Sequence, residues 1–126
     1  MDKVVHFEIP FYDKDKAGEF YKDVFGWEIT SVQGMNYHMV KTVPTDEKNM
    51  PKEHGAINGG LVKKGITSQS PIIVVGVSNL DESLEKVKIS GGEIIQEKQE
   101  VGKMGLYARI KDTEGNVIGL WQNINL

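Results

Sequence analysis

The chain contains no cysteine. That excludes a disulfide framework, a thiolate zinc site, an iron–sulfur cluster and a cysteine nucleophile. It fits a reducing cytoplasm, which is the expected compartment. Histidine is scarce, with three residues at positions 6, 38 and 54, and Arg109 is the single arginine. The 15 Lys and Arg are dispersed among 18 acids, leaving a formal net charge of −3. Nucleic-acid binding leaves a clustered basic footprint, so a nucleic-acid partner is not expected. No run approaches the roughly 18 apolar residues of a membrane span. No basic stretch followed by an apolar one opens the chain, so neither a membrane nor a secretory signal is expected.

What is present is an alternation of short strands and amphipathic helices within 126 residues, enough for one domain. Val4 to Ile9 is β-branched and aromatic and is closed by Pro10, which predicts a strand. Its period of two puts Val5, Phe7 and Ile9 on one face and Val4, His6 and Glu8 on the other. Asp13 to Phe25 predicts a helix, with Ala17, Phe20, Tyr21, Val24 and Phe25 on one apolar stripe. Asp13 or Asp15 caps its start and Gly26 its end. Trp27–Val32 and Met35–Val43 predict a hairpin around Gly34, and Ala56–Lys63 a further strand. The polar segment 44–55 between them is a long loop, a candidate lid over a site.

After a linker at 64–70, Pro71–Val77 predicts a strand and Asn79–Ile89 a helix with Leu80, Leu84 and Val87 inward. Asp81 and Glu82 favour its positive end, and Gly91-Gly92 stop it. Strands follow at 93–97, 106–111 and Val117–Gln122, with a tight turn at Asp112–Asn116 before the last.

The order is thus β-α-β-β-β twice, an internal repeat. His6 falls on Ile72, Asp15 on Asp81, Tyr21 on Val87 and Gly26 on Gly92, while Gly60-Leu61 falls on Gly119-Leu120. The expected architecture is α+β: two tandem βαβββ modules forming a curved mixed sheet, with both helices on its outside. Module one is 1–63 and module two 71–126, and each alone would have a marginal core.

Four segments carry a family resemblance: His6–Pro10, Phe20–Trp27, Gly59-Gly60-Leu61 and Asp112–Trp121. Through them the chain resembles the glyoxalase/bleomycin-resistance/extradiol dioxygenase group, the vicinal oxygen chelate superfamily, and within it a glyoxalase-like subgroup. The resemblance implies a cupped sheet whose four inward positions hold a divalent metal in metal-using members. Mapped here, these positions are His6, Gly60, Ile72 and Gly119. Only His6 has a donor side chain, and a divalent metal needs about three protein ligands. No metal or other cofactor is therefore expected.

His6 and Glu8 share a face and form a candidate acid–base pair. The competing reading is that they hydrogen-bond each other or line a wet cavity. Asn58, Gly60, Gly119 and Trp121 are the further candidate ligand-binding residues, with the glycines enlarging the cup. Trp121 reads either as a stacking platform or as core filling. Tyr37, Tyr107 and Arg109 lie on strands bordering the cup, with their facing open because a bulge flips it. His38 and His54 read as exposed, Trp27 as packing, and Glu82, Glu85, Lys86 and Lys88 as a solvated helix face.

Three functional readings follow. The first is a metal-free protein that binds a small organic molecule in the cup. The second is a lyase or isomerase of glyoxalase type using His6 and Glu8, or a weak metal site at His6. The third is an interaction module with a filled cup. The resemblance also implies a homodimer.

Overall fold

The computed structural model describes residues 1–124. They run β1 (Val4–Phe11), α1 (Lys14–Phe25), β2 (Glu28–Ser31), β3 (Tyr37–Lys41) and β4 (Gly59–Lys63), then β5 (Ile72–Gly76), α2 (Leu80–Ile89), β6 (Glu93–Val101), β7 (Gly105–Lys111) and β8 (Val117–Asn123). This is the α+β order of two βαβββ modules. Among the described residues no helix is long and apolar enough to cross a membrane. The chain divides into two compact units. One is His6–Pro71; the other joins Met1–Val5 to the residues from Ile72 onward.

In the first unit the sheet order is β2-β3-β4-β1. β1 and β4 are parallel with Phe7 opposite Gly59, and β3 is antiparallel to β4 with Met39 opposite Gly60. Alternation sends Phe7, Ile9 and Phe11 to the helix side. There Phe11, Val40 and Leu61 form a buried cluster against Ala17, Tyr21, Trp27 and Ile29. The Asp13 carboxylate accepts from the Asp15 and Lys16 amides, capping α1, and Gly26 ends it at φ 73°, a conformation that favours glycine.

The predicted α1 stripe is only partly correct. Ala17 and Tyr21 pack inward, but Phe20, Val24 and Phe25 are each more than half exposed. Helical periodicity reports a stripe, not the width of the surface available to cover it.

In the second unit the order is β5-β8-β7-β6, with β5 parallel to β8 and the others antiparallel. Leu80 and Leu84 of α2 bury against Ala108, Ile110 and Leu120. The Asn79 side chain accepts from the Glu82 amide, and Gln122 accepts from the Leu80 amide at 2.7 Å, fixing the helix start to β8. The Lys3 carbonyl, also in this unit, accepts from Gly76 at 2.9 Å. β6 is longer than the predicted 93–97 and has irregular register with β7 at Gln96 and Gln99. Its polar run Gln-Glu-Lys-Gln-Glu gives no hydrophobic signal, yet such charged side chains and bulges suit the exposed edge of a sheet.

Segment 44–55 is organised by its own polar groups. The Asp46 carboxylate accepts from the Lys48 amide at 2.8 Å and the Met50 amide at 3.0 Å. Those bonds hold its pKa below the ordinary carboxylate value. Thr45 bridges Pro51, and Asn49 takes a φ of 62° that asparagine tolerates.

Candidate functional site

The face of the first sheet opposite α1 carries His6 and Glu8 from β1, Tyr37 and Met39 from β3, and Gly60 and Val62 from β4. The backbone dictates this set. Phe7, Val40 and Leu61 point at the helix side, so their neighbours in each strand point away.

Tyr37 lies on Gly60. A Cβ at Gly60 would overlap the Tyr37 ring, so only glycine admits the ring there. The room that the sequence reading assigned to a ligand is thus filled by a side chain. The reason is register. Tyr37 pairs with Val62, two residues from Gly60, and that diagonal is within reach of an aromatic ring.

The Tyr37 hydroxyl meets His6 Nε2 at 2.5 Å, one donating and the other accepting according to the imidazole tautomer. Burial lowers the His6 pKa below 6.5, and the Glu8 carboxylate opposes that shift. Burial also pushes the Tyr37 phenol well above its ordinary 10, and Glu8 acts in the same direction. Both rings are therefore neutral at pH 7. Glu8 itself is buried, at 5% exposure. His6 thus pairs with Tyr37, while Glu8 acts on both rings through its charge.

Asn58 has a different task from the one expected. Its side-chain oxygen accepts from the Thr42 amide at 2.8 Å and the Val43 amide at 3.2 Å, closing the neck of the long loop. His38 is half-buried rather than exposed. It lies 5.5 Å from the Phe11 ring, and its Nδ1 is 3.1 Å from the Ser31 hydroxyl. Its pKa is lowered, first by burial and then by the charge of Lys14, against the opposing Asp15. His54 is exposed, as expected.

The second unit repeats the arrangement with other chemistry. Tyr107 pairs with Trp121 and Arg109 with Gly119, so Tyr107 stands diagonal to Gly119 as Tyr37 does to Gly60. A Cβ at Gly119 would come within 2.7 Å of the Tyr107 hydroxyl. Arg109 Nε donates to that hydroxyl at 2.9 Å, and Nη1 donates to Gln96 at 3.4 Å. Trp121 lies over Gly105 and donates from Nε1 to Asn123 at 2.7 Å. It packs on backbone rather than standing as an open platform. Ile72 and Val74 are each 2% exposed.

The facing of Tyr37, Tyr107 and Arg109 was open from sequence. The recurring Tyr-x-Met and Tyr-x-Arg of β3 and β7, each ahead of a strand glycine, is the signal that marks it.

The mapped metal positions do not suit a metal. Gly60 and Gly119 have no donor and the space beside each holds a tyrosine, while Ile72 is apolar and buried. Among the described residues no three His, Asp or Glu side chains are grouped to hold one.

Residues 3–43 match the family model for the bleomycin resistance protein-like N-terminal region. A point variant of Streptomyces coelicolor methylmalonyl-CoA epimerase, in complex with 2-nitronate-propionyl-CoA, superposes with a TM-score of 0.69 at 18% identity, covering 98% of each chain. The fold is that of the vicinal oxygen chelate superfamily. A hypothetical protein from Bacillus halodurans shares it, with a TM-score of 0.67 at 15% identity over 99% of this chain and 96% of that one. So does the Mycobacterium tuberculosis methylmalonyl-CoA epimerase, at 0.62 and 17% over 97% and 88%. No curated protein matches in sequence. In this chain β1 carries His6, and β4 carries a glycine covered by the Tyr37 ring.

Proposed function

We propose that the inner face of the first module, whose polar groups are His6, Tyr37 and Glu8, binds a small organic molecule without a resident metal. The observation that carries this is the contrast between the two faces of one sheet. The helix side is apolar, as packing alone requires. The other side buries a carboxylate and joins an imidazole to a phenol. Burying polar groups costs about 1–3 kcal/mol each unless they are well paired, so a face needed only for packing would be apolar. Titratable groups with displaced pKa values gather at binding and catalytic sites. Solved structures of this fold support an organic ligand, since five are complexes with 2-nitronate-propionyl-CoA or methylmalonyl-CoA.

The test is thermal stabilisation of the wild type by a broad library of small organic molecules that includes acyl-CoA thioesters. A ligand that binds only the folded state must raise the apparent stability. The expected result is at least one stabilising compound whose effect falls in His6→Ala. Stabilisation by none would overturn the reading. The protein is further proposed to be a cytoplasmic homodimer; a monomer mass by light scattering at micromolar concentration would contradict the dimer.

A further inference from the structure

The Tyr37 side chain has the features of a ligand. Its ring lies on the bare backbone of Gly60, and its hydroxyl reaches the imidazole of His6. The His6 and Tyr37 rings are nearly coplanar in orientation, at 15° with centroids 6.3 Å apart. The charge of buried Glu8 acts on both.

Tyr37 opens β3 directly after the exposed turn at 33–36, in which Gly34 has a φ of 78°. The turn is anchored by backbone bonds, Val32 N–H to the Tyr37 carbonyl and Met35 N–H to the Val32 carbonyl, both at 3.2 Å. None of these involves the Tyr37 ring, so a rotation of the side chain off Gly60 would break no backbone bond of the turn. Tyr107, the equivalent in the second module, is 7% exposed and its hydroxyl is held by Arg109.

Resting on the organic-ligand reading above, we propose that Tyr37 fills, from within its own chain, a subsite for a phenol. A phenolic ligand enters by replacing the Tyr37 side chain. Its ring packs on Gly60 and its hydroxyl takes the place of the Tyr37 hydroxyl at His6 Nε2. Glycine at position 60 is what gives a flat ring access to the strand. His6 gives the subsite its selectivity for a hydroxyl over a bare ring, since the neutral imidazole supplies one donor and one acceptor.

The experiment removes the internal occupant and offers its equivalent. Tyr37→Ala opens the subsite, and p-cresol, the side chain of tyrosine, is titrated against toluene, the same ring without its hydroxyl. Binding is read by calorimetry and by the 15N shifts of the His6 ring. If Tyr37→Ala does not fold, Tyr37→Thr opens the same space with a residue suited to a strand.

The expected result is p-cresol binding about five- to tenfold tighter than toluene, the worth of one neutral hydrogen bond, with Nε2 moving on p-cresol alone. In the double variant with His6→Ala the preference disappears. Equal affinities, or p-cresol binding that leaves His6 unmoved, overturn the phenol assignment. If the library then still stabilises the wild type through His6, the organic-ligand reading stands without it. If no library compound stabilises the wild type, that reading falls on its own result.

Discussion

The two modules repeat one architecture and use it differently. In the second, α2 drives Leu80 to 0% exposure and Leu84 to 6%. In the first, α1 has no buried residue, and its aromatic rings stack at the rim, Tyr21 on Trp27 with centroids 5.0 Å apart. The inner faces diverge as well. Both lay a tyrosine across a strand glycine. One tyrosine meets a neutral imidazole beside a carboxylate, and the other accepts from a guanidinium. The repeated register sets where the rings lie, and the residue that meets each hydroxyl sets its chemistry. The difference places structural weight on the second module's helix and a buried carboxylate with a joined imidazole and phenol on the first module's inner face.

Helix truncations test that division with the largest effects. Leu80→Ala is expected to lose about 2–5 kcal/mol in urea denaturation, as for other fully buried leucines. Phe20→Ala, on the exposed side of α1, is expected to stay within about 0.5 kcal/mol. Equal losses would erase the asymmetry.

Adjacent glycines of β4 give the next largest. A Cβ at Gly59 would sit 2.5 Å from the Phe7 carbonyl, which cannot move without the strand, whereas at Gly60 the nearest atoms are the side-chain end of Tyr37. Gly59→Ala is expected to lose about 1–3 kcal/mol. Gly60→Ala loses less, but changes the near-ultraviolet circular dichroism as the Tyr37 ring is displaced. A silent spectrum would show that the ring does not rest there.

The helix caps come third. Asp13 accepts from two amides and Asn79 from one. Asp13→Ala is expected to lose about 1 kcal/mol, measured by the same denaturation, and Asn79→Ala less.

The pH dependence is the smallest effect. His6 has a folded pKa below its unfolded 6.5, so the unfolded chain takes up a proton first as the pH falls. Its contribution to stability is present above 6.5 and is lost as the pH drops through 6.5 toward the folded value. His6→Gln should flatten that part of the stability curve. An unchanged curve would mean that His6 is not held neutral.

Local signals made much of this legible. β1 alternates cleanly because one face must meet the helix, so its two residue sets separate from sequence alone. Asp13 and Gly26 mark α1 because caps act within a turn of chain. The seating of Tyr37 on Gly60 was hidden, since it depends on the register of two strands separated by the long loop, and a shift of one residue reverses every facing. Asn58 misled for a similar reason. Its position suggested the cup, but the amides it satisfies lie just past the end of the neighbouring strand β3, at Thr42 and Val43. The exposure of Phe20, Val24 and Phe25 was equally out of reach, because periodicity does not count the neighbours that cover a stripe.

The central claim is that His6 belongs to an organic-ligand site and not to a metal centre. The direct test is the 15N spectrum of the His6 ring in Tyr37→Ala, titrated first with zinc and then with p-cresol. The account predicts that one equivalent of zinc at micromolar protein leaves Nε2 unmoved and that p-cresol shifts it. A stoichiometric zinc-dependent shift at Nε2, with none from p-cresol, would contradict it.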